Sequence, residues 1–428
     1  MNKSTRSVSG TDRIKNAKLP NQPTKGKIIY YLTFCLALQS IGVSTLSTIF
    51  ARKISTFDQG IELFGISATA FSLAAMVSAP LMGLLVDKLG KYRLLLGSLA
   101  AHALASLSYL LVSTGAGFTA VRALAGGLTA GLVPATISLI GDLTTQEERG
   151  RWIGFVTGWS SAGFVIGPYL GGWIYDHWGL AAPFFVGAIA HAISFLIVLW
   201  LIPDLSSNQG KELDNNPRSS MNERGIFPFL SRLQSSIPQH TRSILMLGVI
   251  SFLAVFAWRF VEPQFHFYIY DDLVWTSSRF GFLLSGYGIL SMICGVTLGG
   301  LSDRFGRKTI LAAGLIVHTA QYFALITTDS YLWILLGVAG SGLGEGLFMP
   351  ALNAYFLDVS PDHYHGRVIG FKEAMFSLGG LAGPALVIFV FQYLQPASIF
   401  IIGGSLIFLS ALLVLFLSEP AKQRVPIL

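Results

Sequence analysis

Charge is scarce in this sequence. Lys, Arg, Asp and Glu make up 12% of the 428 residues, about half the share found in an average soluble domain, and the mean hydropathy is +0.61. So few charges cannot cover a large water-facing surface, which excludes an ordinary soluble enzyme or binding domain. Cysteine is nearly absent as well. Cys35 and Cys294 are the two present, and both fall inside long apolar runs, so no disulfide framework is available. The sequence contains no H-E-x-x-H, no cysteine cluster, no G-x-S-x-G and no G-x-x-x-x-G-K-[ST], the signatures of metalloprotease, hydrolase and ATP-driven chemistry. No metal and no cofactor are expected, and the chain is not expected to be an enzyme.

What is present is hydrophobic residue, 52% of the chain. Crossing a bilayer takes about 20 apolar residues of helix at about 1.5 Å rise each. Segments of that kind occur at 28–51, 63–86, 94–113, 117–141, 152–175, 180–202, 243–269, 280–301, 309–327, 331–357, 368–393 and 398–417. Hydrocarbon offers backbone amides no water, so runs this long and continuous must be helices. The expected fold class is therefore an all-α membrane protein with twelve transmembrane helices, whose surroundings are a lipid bilayer.

The basic residues give the orientation. Of the 29 Lys and Arg, 23 lie in the two tails and in every second loop; Arg52, Lys53 and Arg279 lie in the opposite loops, and Arg122, Arg259 and Lys372 lie inside spans. Cytoplasmic loops collect Lys and Arg, so both termini are expected in the cytoplasm, and the net charge of +7 reads as a topology signal, not as a nucleic-acid surface. Residues 1–27 carry seven basic side chains against Asp12 alone and no apolar core, so a tail is expected there and not a cleaved signal peptide. The organisation reads as that tail, a six-helix bundle at 28–202, a polar linker at 203–242 with a short surface helix near 226–234, a second bundle at 243–417 and a tail at 418–428.

The two bundles are copies. "GLLVDKLGK" puts Gly83, Asp87 and Gly90 behind an apolar run, and "GGLSDRFGRK" puts Gly299, Asp303 and Gly306 behind another, 216 positions later. The same offset pairs Phe64 with Phe280, His102 with His318, Asp142 with Asp358, Gly150–Arg151 with Gly366–Arg367, and Gly167–Pro168 with Gly383–Pro384. A gap-free register that includes Asp, His, Arg and Pro is not a glycine coincidence. Because six helices is an even number, the copies share one orientation, which places a pseudo-twofold axis along the membrane normal and a central site between the halves.

Twelve helices in two parallel halves, with G-x-x-x-D-x-x-G after the second helix of each, resemble the major facilitator superfamily over nearly the whole chain. The signature's basic continuation is met by Arg307 and Lys308 in the second copy, and by Lys91 and, one step late, Arg93 in the first. The resemblance implies that the loop aspartates hold the halves together on the cytoplasmic side when the cavity faces outward. Asp87 then faces basic side chains and the positive end of the helix starting near Arg367, and Asp142 and Asp358 are the natural partners of Lys91 or Arg93 and of Arg307.

Helix five carries G-x8-G-x3-G-P-x2-G-G through Gly154, Gly163, Gly167, Pro168, Gly171 and Gly172. Glycines three and four apart share a face and permit close helix contact, while Pro168 removes one backbone hydrogen bond. The spacing resembles the motif of twelve-helix drug:proton antiporters. Its copy in helix eleven keeps Gly370, Gly379, Gly383 and Pro384 without the final pair.

Ionisable groups inside spans cost about 2.5–3.5 kcal/mol each at mid-bilayer and mark pathways or relays. Arg122 resembles the family's helix-four arginine, with Ala125 in place of its usual glutamine, and reads either as a proton-transfer group or as a structural ion pair. Arg259 and Glu262 lie three apart on helix seven, one face of a helix; they either neutralise each other or, with His266 nearby, form a titratable substrate wall. Glu345 in helix ten has no partner at helical spacing, so it is the leading coupling residue. The family's cavity-lining helices, one, four, seven and ten, assign Gln39, Arg122, Arg259, Glu262 and Glu345 to the cavity; helix one brings no acid. Lys372 and His102 with His318 read as snorkelling and packed groups.

Three readings follow. The first is a monomeric secondary transporter that exports small amphipathic organic molecules in exchange for protons, using the proton gradient as its energy source at the cell membrane. The second is a proton-coupled carrier of a sugar or organic acid contacting Arg122 and Arg259. The third is a non-transporting membrane sensor, for which the short tails leave little room.

Overall fold

The computed structural model describes residues 25–203, 241–360 and 364–418, with the side chains of Asp87, Gln146, Glu147 and Thr241 outside the description. The tails, the expected surface helix at 226–234 and the Asp87 latch therefore lie outside the described residues. Within them every regular element is helical.

The first half contains α1 (Lys25–Ser47), α2 (Ile61–Leu89), α3 (Lys91–Leu111), α4 in two pieces (Gly115–Thr129 and Leu132–Leu143), α5 (Gln146–Trp178) and α6 (Ala181–Leu201). The second contains α7 (Thr241–Phe267, extended by a π-helical turn, Tyr268–Asp272), α8 (Ser277–Leu298), α9 in two pieces (Arg307–His318 and Ala320–Thr327), α10 (Tyr331–Asp358), α11 (His365–Val390) and α12 (Pro396–Val414). Short helices, Phe50–Ser55 and Leu301–Phe305, follow α1 and α8. Eleven of the twelve are long and apolar enough to span a membrane. The other, α5, is the longest at 33 residues. It opens on the polar run Gln-Glu-Glu-Arg, and its glycine face lowers its hydropathy without shortening it. Many large apolar side chains point outward, among them Trp200, Val296 and Phe389, which a lipid surround satisfies and water does not. The chain is an integral, multi-pass membrane protein.

Helices α2, α4 and α5 overrun their sequence-predicted spans at both ends, whereas α6 stops one residue short at each; hydropathy registers only the lipid-buried portion, and hydrogen bonding in the longer helices continues into the polar layers. The second half's loop shows how each copy turns. Gly306 sits at φ 94°, and Gly90, its repeat mate, at φ 87°, a left-handed conformation that glycine adopts without penalty. Both glycines of the G-x-x-x-D-x-x-G motif's end are thus required by the backbone itself.

Within each half, α1 packs on α5 and α6, and α7 packs on α11 and α12. Between halves two repeat-related seams form, α5 on α8 and α2 on α11. One apolar core runs continuously through residues of both halves, including Leu46, Phe64, Phe118, Phe265 and Phe280, while Ile28, Leu95, Leu139 and Val198 form a separate core confined to the first half. The shared core joins the halves toward the face where α1 ends, through residues such as Leu46, Phe64, Phe265 and Phe280, and in the second half it continues the other way to Ile244 and Leu417. Toward the face where α1 begins, here called the basic face, the halves part.

Candidate functional site

Glycine environments locate the contact between halves. A Cβ added at Gly172 would lie 2.0 Å from the Ser277 carbonyl oxygen, one at Gly281 2.2 Å from that of Pro168, and one at Gly65 3.0 Å from that of Pro384. All three sit on the far face, opposite the basic one. Near the basic face, Gly83, Gly150, Gly154, Gly366 and Gly370 meet nothing within 4 Å among the described residues. The far face is sealed by backbones in contact, and the basic face is not.

Polar groups complete the seal. The Asp176 carboxylate at the end of α5 accepts from the backbone N–H of Ser277 at 3.1 Å and of Ser278 at 2.7 Å, and from the Ser278 hydroxyl at 2.5 Å. Arg52 reaches from the first half to the Trp275 carbonyl at 3.1 Å, with its guanidinium 3.8 Å from the centre of the Tyr270 ring. The Tyr270 hydroxyl donates to the Thr48 carbonyl at 2.7 Å. Pro168 has no N–H, and the next amide, that of Tyr169, donates across the seam to the Ser285 hydroxyl at 3.2 Å. Of the helix-five motif, Gly163, Gly167 and Gly171 accommodate Ser40, Ser44 and Thr45 of α1, Gly172 accommodates α8, and Gly154 meets no neighbour.

Inside this seal the second half presents a cavity of about 270 Å³ lined by Trp258 and Arg259 of α7, Tyr287 of α8, His318 of α9, Glu345 and Met349 of α10 and Phe376 of α11. Its size is near the lower bound for small organic ligands. Arg259 and Glu262 pair at 2.8 Å, as their three-residue spacing allows. Glu345 is not alone. His318 Nδ1 stands 4.0 Å from its carboxylate, and the Tyr287 hydroxyl faces the same group; both come from neighbouring helices, which helical spacing along α10 could not show. His318 is also held by Ser341, whose carbonyl and hydroxyl oxygens lie 3.1 and 3.0 Å from Nδ1.

From the first half, Arg122 rests over the rings of Phe50 at 4.5 Å and Phe71 at 4.8 Å, within electrostatic reach of Glu262 across the boundary. Its Nε is buried without a hydrogen-bond partner among the described residues. Gln39 is buried, and its side-chain nitrogen lies 3.1 Å from His102 Nε2. His102 in turn stacks near His191 of α6, ring centres 5.1 Å apart, and His191 Nε2 bonds to the Gln39 carbonyl at 3.2 Å. Sequence reading passed over His191, Asp176 and Arg52; only their place in the seal and the network gives them significance. His266 is buried, with Nδ1 2.8 Å from the Glu262 carbonyl and Nε2 3.2 Å from the Ser47 carbonyl.

At the basic face Lys91 pairs with Asp142 at 2.5 Å, and Arg307 with Asp303 at 2.5 Å and Asp358 at 2.7 Å. Each of these ion pairs lies within one half. Arg93 is exposed. Lys372 does not snorkel: it is buried and donates to the Asn353 side-chain oxygen at 2.7 Å.

A duplicated twelve-helix bundle whose halves meet at one face, with a charged cavity in its second half, defines a membrane transporter. The sequence profile of the Major Facilitator Superfamily matches residues 32–246 and 247–427, and the chain belongs to that family. It is 27% identical to the class D tetracycline resistance protein of Salmonella ordonez over 84% of this chain and 88% of that protein. It is also 27% identical to Multidrug resistance protein 2 of Bacillus subtilis, over 75% of this chain and 78% of that one. Among solved structures it is similar in fold to the nucleoside transporter NupG, with a TM-score of 0.74 at 14% identity, covering 92% of this chain and all of that one. It likewise resembles a bacterial homologue of the human lysosomal transporter Spinster, captured inward-facing and unoccupied, with a TM-score of 0.71 at 14% identity over 94% of this chain and all of that one.

Proposed function

We propose that this transporter exports small amphipathic organic molecules, cations among them, in exchange for protons. The carrying observation is that Glu345, within reach of His318 and Tyr287, opens into an aromatic-lined cavity in the second half. A carboxyl there can hold either a proton or the charge of a bound organic cation, and not both, which is the elementary condition for exchange. Trp258, Phe348 and Phe376 supply apolar and π surface for the rest of the substrate. Relatives named as tetracycline and multidrug resistance proteins support the same reading.

The anion-carrier reading has less support: the Arg259 charge is taken by Glu262, and Arg122 is engaged by Phe50 and Phe71. We take the basic face to be cytoplasmic, because Lys and Arg collect there, so the structure corresponds to a cavity accessible from the cell interior. Each half is a bundle with the bounds given above, and one chain encloses a complete cavity, so a monomer suffices. Lys91–Asp142 and Arg307 with Asp303 and Asp358 then hold the loop elements that, with Asp87, latch the cytoplasmic mouth when the cavity turns outward.

The test is transport in inside-out membrane vesicles. Imposing a pH gradient, acid inside, is expected to drive ethidium into vesicles that contain the protein, and Glu345→Gln is expected to abolish it. Uptake of a sugar or an organic acid instead, with no ethidium movement, would overturn the reading.

A further inference from the structure

The buried imidazole of His266 lies at the boundary between the halves. Both of its ring nitrogens face backbone carbonyl oxygens, Glu262 on its own helix at 2.8 Å and Ser47 at the end of α1 at 3.2 Å. A carbonyl oxygen only accepts, and a neutral imidazole carries one N–H. The neutral ring therefore satisfies one contact and turns a lone pair on the other. The imidazolium, with two N–H groups, satisfies both. The second contact crosses between halves, because Ser47 belongs to the first and His266 to the second.

The ring's faces point the same way. Phe64 of α2 lies 5.0 Å from its centre and Phe280 of α8 lies 4.9 Å, the latter nearly perpendicular. These two phenylalanines are repeat mates, one from each half, so the imidazole is held between side chains from both sides of the boundary. Of the charged groups near His266, Glu262 and its partner Arg259 lie on its own helix, and Arg122 of α4 stands within electrostatic reach of Glu262 from the first half. The other elements against it, α1, α2 and α8, present the Ser47 carbonyl, Phe64 and Phe280, none of which titrates.

We infer that His266 is a proton-binding site whose imidazolium ties the two halves together and so seals the far face. A proton taken from the far-side solution, when that face is open, adds the second N–H that the Ser47 carbonyl accepts on closure. Its release to the cavity side returns the ring to one N–H and loosens the seal. The direction suits exchange: a proton entering from outside would favour the conformation that admits substrate from inside. That place in a transport cycle rests on the reading given under Proposed function, whereas the proton-linked seal does not.

The test uses the full chain in nanodiscs, with Cys35 and Cys294 replaced by serine and spin labels on cysteines introduced at Gln59 and Tyr393, exposed far-face positions in opposite halves. Electron–electron distance distributions recorded from about pH 8 to pH 5 need neither substrate nor flux. The sealed, short-distance population is expected to grow relative to the open one as pH falls, by up to about tenfold per pH unit, the limit for one linked proton. In His266→Gln, which carries donors but no titrating nitrogen, that growth is expected to vanish. A wild-type distribution that does not change with pH overturns the inference without recourse to any variant, as does a His266→Gln protein that responds like wild type. Ethidium flux that fails while the pH response persists would overturn export alone.

Discussion

The Asp176 carboxylate, on the last turns of α5, accepts the Ser278 amide N–H at 2.7 Å and so caps a helix belonging to the other half. The first amides of α8 have no intrahelical acceptors, and one carboxylate from across the seam accepts from two of them. Removing it exposes those amides and weakens the far-face seal in the same step. Asp176→Ala is expected to disfavour the sealed form by about 1 kcal/mol, the usual worth of a helix cap, which is roughly a fivefold drop in the sealed-to-open ratio. Spin-label distances across the far face read it directly.

The α1–α5 contact separates two kinds of glycine. At Gly171 a Cβ would lie 2.0 Å from the Thr45 carbonyl oxygen, backbone that cannot yield, whereas Gly154 meets nothing within 4 Å. Gly171→Ala is expected to destabilise by at least about 2 kcal/mol through overpacking. Gly154→Ala is expected to be neutral or to stabilise by up to about 1 kcal/mol, since alanine is the better helix former. Thermal unfolding of the purified variants in one detergent distinguishes the two.

Arg259 and Glu262 form a pair at the cavity edge with Arg259 partly exposed. Truncating Arg259 alone leaves Glu262 uncompensated, while truncating both removes the problem. Arg259→Ala is expected to lose roughly 1–2 kcal/mol, a figure already reduced for solvent screening, and the double variant Arg259→Ala with Glu262→Ala is expected to regain much of it. A double-mutant cycle on unfolding free energy measures the difference; additive losses would show that the two charges do not interact.

Lys53 is a buried amine on the short helix after α1, with the Phe57 ring 5.1 Å away. Burial holds its pKa below the ordinary lysine value. A base whose folded pKa is lowered binds its proton less well when folded, so below that pKa its charge is a burden on the fold, and the burden fades as pH approaches the unfolded value of about 10.4. Lys53→Met is therefore expected to raise Tm near neutral pH, with the gain shrinking as pH rises through the lowered pKa toward the unfolded value of about 10.4. A gain independent of pH would indicate packing, not charge, as its source.

Much of the architecture was legible in the sequence because a bilayer imposes a length and an apolar character on each helix, and because a repeat at 216 residues preserves its register. The Arg259–Glu262 pair was legible for a related reason: three residues on a helix is a spatial distance. Glu345 shows where that reasoning ends. Its companions Tyr287 and His318 come from α8 and α9, and nothing local to α10 marks them, although the pairing of His318 with His102 in the repeat was a signal. Asp176 lies on the last turns of α5 and Arg52 on the short helix after α1, beyond the apolar runs, where composition is uninformative and only the docking of one half on the other gives each residue a partner. The breaks in α4 and α9 were equally silent, since hydropathy continues across them.

The bare glycines Gly83, Gly150, Gly154, Gly366 and Gly370 have a meaning beyond the present arrangement. Their counterparts at the opposite ends of the same helices are occupied by neighbouring backbones, so each long helix carries one docked end and one undocked end made of the same material. A rocking motion about the middle can exchange the two without remaking a side-chain core, because the surfaces that must meet are already smooth. The molecule thus carries the fitting for its other state in plain view, as small residues waiting for a partner surface of equal smoothness.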